Sequence, residues 1–140
     1  MRRQQRLRAA CPKRGDLALE YEVRDFKELD VWRVAMHIAS LTYQETRALP
    51  EDERFGLISQ MRRTAVSIPS NIAEGYGRGS RQDYIRFLQI ARGSACELET
   101  QVLLCRQLDY KMEAETILLQ LRGWHQLMYR LLQSLRSDGS

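Results

Sequence analysis

Residues 80–105, SRQDYIRFLQIARGSACELETQVLLC, carry apolar side chains at Tyr84, Phe87, Leu88, Ala91, Ala95, Leu98, Val102 and Cys105. Their steps of three or four are the spacing that stacks side chains along one face of an α-helix. The stretch is long enough for about seven turns. Ser80, with Asp83 three residues later, approximates a capping box and fixes where the helix begins.

Working outward, the same period recurs three more times. Upstream, Phe55, Ile58, Met61, Ala65, Ile68 and Ile72 read as one face of a second helix. Pro50 suits that helix's first turn, where a missing N–H costs nothing, and Glu51, Asp52 and Glu53 place negative charge on its positive end. Pro69 falls inside the pattern and predicts a kink or short break, because proline removes a backbone bond and crowds the preceding turn. Gly75, Gly77 and Gly79 are read as a loop that ends the helix. No strand precedes them and no Lys-Ser/Thr follows, so they do not make a phosphate-cradling loop.

Further upstream, Leu29, Trp32, Met36, Ala39 and Tyr43 form the stripe of a first helix over about 29–48. Downstream, Ile117, Leu118, Leu121, Trp124, His125, Met128, Leu131, Leu132 and Leu135 give a wide-faced fourth over about 111–136. Short connections at 49–50 and 109–111 favour antiparallel neighbours. The predicted fold is all-α: an antiparallel up-down-up-down four-helix bundle over 26–137, kinked near Pro69 and preceded by a basic, disordered arm over 1–25. No alternating stretch is convincing as a strand, and no internal repeat is found.

Charge separates these two parts. The chain has 22 basic and 18 acidic residues, for a net +4. Arg2, Arg3, Arg6, Arg8, Lys13 and Arg14 fall in 1–14 with no acid among them. Subtracting those six leaves 16 basic against 18 acidic residues, so the remainder is close to neutral. A cationic arm adds sequence-independent attraction to phosphate backbones; equally, it reads as a solvated leader. It lacks the apolar core of a secretory signal. No apolar run approaches a membrane span.

Cys11, Cys96 and Cys105 are odd in number, and nine residues of helix hold Cys96 and Cys105 roughly 13 Å apart. All three read as free thiols of a cytoplasmic protein. His37 and His125 are the only histidines, without CxxC or HExxH spacing, so neither a metal site nor a cofactor is expected. Each histidine reads as packed or surface rather than catalytic. Glu97 and Glu99, two apart on a helix, diverge instead of pairing. A nuclease or deaminase is the least favoured reading, for want of a base or metal site.

The unusual feature is polar. Arg63, Ser67, Ser70, Asn71 and Glu74 share a stripe in an otherwise apolar setting, opposite Arg92, Gly93, Ser94 and Glu97. Such groups are solvated, satisfied between helices, or offered to a partner. Ser67, Ser70, Asn71, Glu74, Ser94 and Glu97 are therefore candidates for a polar network between helices or subunits.

The same residues carry a resemblance. Leu29-Asp30-Val31-Trp32, Leu49-Pro50 with Glu53 and Phe55-Gly56-Leu57, Gln60-Met61-Arg62-Arg63, and above all Ser67-Ile68-Pro69-Ser70-Asn71-Ile72-Ala73-Glu74-Gly75 stand in the chain. Phe87-Leu88, Ala91-Arg92-Gly93-Ser94 and Glu97-Leu98-Glu99 follow. Together, over 26–136, they resemble the bacterial four helix bundle proteins, also described as 23S rRNA intervening-sequence proteins, to which the retroelement accessory protein Avd is related. The resemblance implies a homo-oligomeric ring, a pentamer, and implies little about enzymatic activity. It implies RNA as a recurrent associate and, through Avd, a reverse transcriptase as a partner. On that footing Arg62, Arg63, Arg78, Arg81, Arg86 and Arg92, with Arg2, Arg3, Arg6 and Arg8 of the arm, are the expected phosphate contacts. A purely structural assembly with a protein partner and no RNA is the alternative.

Overall fold

A computed structural model describes residues 25–138, so most of the arm lies outside the described residues. Four α-helices follow one another: α1 Asp30–Thr46, α2 Leu57–Gly77, α3 Arg81–Gln107 and α4 Ala114–Ser137. Two short 3-10 turns, Phe26–Glu28 and Glu51–Glu53, precede α1 and α2, and no strand occurs among the described residues. Each helix lies beside two others, in the cycle α1–α2–α3–α4 and back to α1, and the backbones of the diagonal pairs stay farther apart.

Cross-helix contacts fix the register, with residue numbers running in opposite senses across each pair. On α1 and α4, the Trp124 indole N–H donates to the Val31 carbonyl at 2.9 Å, and the Glu113 amide donates to the Glu45 carboxylate at 2.9 Å. On α2 and α3, Gln101 reaches the Thr64 hydroxyl at 3.2 Å, and the Cys105 thiol points to the Met61 sulfur at 3.6 Å.

The stripes of α3 and α4 form the core as the spacing predicts, with Leu118 and His125 at its edge. The stripe of the first helix does so only at Leu29 and Ala39. Its buried face is Val31, Ala35, Ile38, Ala39, Thr42 and Thr46, whereas Met36 and Tyr43 are 45% and 42% exposed and Trp32 is half-buried. Two threonines decide this. Thr42 donates to the Ile38 carbonyl at 2.8 Å and Thr46 to the Thr42 carbonyl at 2.6 Å, so both hydroxyls enter the core already satisfied. The larger apolar residues are rotated onto the flank facing α2.

Helix α2 differs from expectation in three ways. Pro50 opens the 3-10 turn rather than the α-helix, which begins at Leu57 with its amide held by the Glu53 carboxylate at 3.0 Å. Because the α-helix has not begun at Phe55, helical spacing does not carry that ring inward, and it is 88% exposed. Gly75 is not a loop residue. It lies inside α2, buried, where an added Cβ would stand 2.5 Å from the Cβ of Phe87. Its role is close approach between α2 and α3. The turn itself is made by Gly79 at φ +80°, and Ser80 then accepts the Asp83 amide at 3.1 Å. Helix α2 continues through Pro69 without a break.

Helix α3 ends in a Schellman arrangement. Tyr110 N–H bonds the Cys105 carbonyl at 3.0 Å and Asp109 N–H the Arg106 carbonyl at 3.1 Å, with Asp109 left-handed at φ 58°.

Candidate nucleic-acid interface

The turn between α2 and α3 gathers three arginines. Arg78 caps the end of α2, Arg81 opens α3, and Arg86 lies one turn further along. The buried ring of Phe87 underlies two of them, with the Arg78 guanidinium 5.1 Å and the Arg86 guanidinium 5.4 Å from its centroid. Stacking of this kind is worth about 0.5–1 kcal/mol where exposed. It steadies a guanidinium without using its N–H donors. Arg78 also meets the Glu74 carboxylate at 3.3 Å, an exposed pair that adds little. The Nε of Arg81 is buried without a hydrogen-bond partner. Ser80 caps the Asp83 amide at the start of α3, and Asp83 places one carboxylate in the same first turn.

The other expected phosphate contacts lie elsewhere. Arg62 is engaged across the α1–α2 seam: its Nε donates to the Thr46 hydroxyl at 3.0 Å, another N–H donates to the Tyr43 carbonyl at 3.3 Å, and the guanidinium covers the Tyr43 ring at 4.8 Å. Arg63 is exposed beside it. Arg92 is exposed on α3, near enough to His125 on α4 to influence its protonation. The structure thus brings Arg78, Arg81 and Arg86 together and separates them from Arg62, Arg63 and Arg92. Arg2, Arg3, Arg6 and Arg8 lie outside the described residues.

The polar stripe takes its bonds locally. Ser67 donates to the Thr64 carbonyl at 2.6 Å and the Asn71 amide to the Ser67 carbonyl at 2.7 Å, both within α2. Ser70 and Glu97 are exposed and Ser94 is half-buried, and among the described residues none of the six makes a side-chain bond to another helix. The buried polar link between α2 and α3 is instead Gln101 to Thr64.

Two open seams complete the surface. Between α1 and α2 lies a groove of about 440 Å³ lined by Trp32, Met36, Tyr43, Val66, Pro69 and Ala73. Between α3 and α4 lies a second of about 440 Å³, mixed in character, with Glu99, Leu103, Arg106, Glu115, Leu118 and His125. Arg106 and Glu115 pair across it at 2.6 Å. Sequence spacing had displayed Trp32, Met36 and Tyr43 but placed them in the core. The Phe87 platform escaped because Phe87 also fits the core stripe.

Burial pushes the Cys105 thiol up, with Glu53 adding to the effect. Burial likewise lowers the His125 imidazole, reinforced by Arg92 and opposed by Glu99. Among the described residues, no three of His, Cys, Asp and Glu come together to hold a metal. No helix among them is long and apolar enough to cross a membrane.

The class this fold defines is the all-helical four-helix bundle. More particularly, the chain belongs to the 23S rRNA-intervening sequence protein family, whose profile matches residues 27–127. No curated protein matches it.

Proposed function

We propose that this protein is a non-catalytic, self-assembling adaptor that binds RNA through its phosphate backbone. The observation that carries this reading is the arginine cluster at the α2–α3 turn, where Phe87 stacks two guanidiniums beside Arg81. Planar forks held in place lose less freedom when they meet phosphate than free side chains do. Arg63, Arg92 and the arm residues Arg2, Arg3, Arg6 and Arg8 extend the contact. The family's link to rRNA genes supports RNA as the polyanion. On the pattern the resemblance implies, the copies close into a homopentameric ring, and a reverse transcriptase is the protein partner.

Gel-shift titration against a structured RNA at increasing salt tests this. Replacing Arg78, Arg81 and Arg86 together by Gln should weaken binding across all RNA sequences and lower the salt slope by about two to three. Equal binding by the triple variant and the parent protein sinks the assignment of these arginines. No retention at low salt sinks RNA binding altogether.

The second reading is a structural assembly with a protein partner and no RNA. The apolar α1–α2 groove favours it, since exposed Met36, Tyr43 and Val66 form a patch of the kind that partners cover. Light scattering that finds only monomer argues against both readings.

A further inference from the structure

Phe55 is the most exposed large apolar residue among those described, at 88%, with Tyr129 next at 61%. Its setting is not loose. On one side the Arg54 amide donates to the Glu51 carbonyl at 2.9 Å; on the other the Gly56 amide donates to the Glu53 carbonyl at 3.0 Å. The Glu53 carboxylate accepts the Leu57 amide, and the Arg54 guanidinium lies 5.4 Å from the Phe55 ring centroid. A benzyl group held out from a bonded turn loses little freedom when a partner covers it, which suits it to anchor an interface.

Charge selects the kind of partner. Exposed Asp52 and Glu51 stand three and four residues before Phe55, with Glu53 in the same 3-10 turn, so acids outnumber the one neighbouring cation, Arg54. Phosphate is repelled here, and the ring is therefore no platform for a nucleic-acid base. A protein surface with an apolar hollow and a cation beside it fits instead.

The chain carries such a surface. The α1–α2 groove has about 440 Å³ between Trp32, Met36, Tyr43, Val66, Pro69 and Ala73, whereas an apolar cavity of about 150 Å³ accommodates a benzene ring. The Arg62 guanidinium lies 4.8 Å from the ring centroid of Tyr43, one of these lining residues. Phe55 does not reach the groove of its own chain, because α2 rises about 14 Å from its first residue, Leu57, to Val66. Knob and hollow are both uncovered in one copy, and two copies can cover them.

We infer that Phe55 of one copy seats in the α1–α2 groove of the next, with its flanking acids toward the neighbour's Arg62. The inference rests on the self-assembly proposed above and not on RNA binding. Knob and hollow are different surfaces, so the contact is heterologous: each copy gives Phe55 to one neighbour and receives it from another. A contact of this kind repeats, and it closes into a ring when the rotation between copies permits.

Light scattering over a dilution series of the full chain, with Phe55→Asp beside the parent protein, tests the contact. The parent should exceed the monomer mass, and the variant should dissociate at concentrations at least about thirtyfold higher, the scale on which an interface anchor is lost. Helical circular dichroism should not change, since the side chain is 88% exposed. A parent protein that is monomeric at every concentration sinks self-assembly and this contact together. Assembly of Phe55→Asp as tight as that of the parent overturns this contact and leaves self-assembly standing. A benzophenone side chain in place of Phe55 reads the seat directly. In a mixture of light- and heavy-isotope protein, photo-crosslinks to Met36 or Val66 that join the two forms support the inference. Crosslinks confined to single chains, or none in the groove, overturn it.

Discussion

The two flanks of α2 solve opposite problems. Toward α3 the seam is close: Gly75 sits against Phe87, and the buried residues of the two helices include the small side chains Ala65, Ala91 and Ala95. Toward α1 the seam stays open at the surface, with Met36, Tyr43 and Val66 on its banks and Arg62 bridging to Thr46 and Tyr43. Small residues close a seam by admitting backbone. Large ones, with a polar strut between them, hold it apart and leave apolar surface for something else to cover.

The close seam should be the more fragile. Gly75→Val forces a branched side chain into a space where even a Cβ lies 2.5 Å from Phe87. Overpacking of this kind costs about 1–3 kcal/mol, and Val here should reach the top of that range. Gly75→Ala should cost less, because Ala gains about 1 kcal/mol of helix propensity over Gly. Urea unfolding should show both midpoints lowered with the slope unchanged, Val more than Ala. An unchanged midpoint for Gly75→Val would mean that the helices part at little cost and that the contrast between the flanks is false.

The open seam should respond through its strut rather than its apolar banks. Arg62→Met keeps much of the stem but removes the donors to Thr46 and Tyr43, and should cost about 1–2 kcal/mol. Arg62→Lys should recover part of that, since an ammonium cannot span both acceptors in the same plane. Val66→Ser, at a residue 42% exposed, should stay within about 0.5 kcal/mol. Thermal melts rank the three; if Val66→Ser proves the most damaging, the groove is core and not surface.

How much of this was legible beforehand follows from the residues themselves. The stripes of α3 and α4 were readable because each is broad, continuous and free of competing polar groups. In α1 the period was right but the face was rotated, since the core side of the helix includes Thr42 and Thr46, whose hydroxyls backbone carbonyls satisfy and which an apolar stripe does not mark. Gly75 was legible as glycine but not as a contact, because only the position of Phe87 on another helix explains it. Phe55 was misplaced because α2 begins only at Leu57, whose amide the Glu53 carboxylate holds, and not in the turn that Pro50 opens. For the candidate site, composition supplied the arginines but not their grouping. Which three meet depends on the turn at Gly79, and which one is spent on internal bonds depends on how α1 lies beside α2.

The α3–α4 seam offers the smallest and most diagnostic effect, because it is open like the α1–α2 groove but lined with charge. His125 lies there half-buried, its ring 5.3 Å from that of Trp124. Burial holds the imidazole below its ordinary value, Arg92 pushes the same way and Glu99 pushes back. The unfolded chain therefore takes up this proton first as pH falls. Stability from this group is complete above about 6.5, the usual histidine value, and declines below it until the folded imidazole also titrates. His125→Gln, neutral throughout, should flatten the fall in unfolding midpoint between about pH 7 and 5. Glu99→Gln should steepen it by removing the opposing charge, and Arg92→Gln should make it shallower. If all three profiles superimpose on that of the parent protein, His125 is as well solvated folded as unfolded, and this seam is open to water in a way that the α1–α2 groove is not.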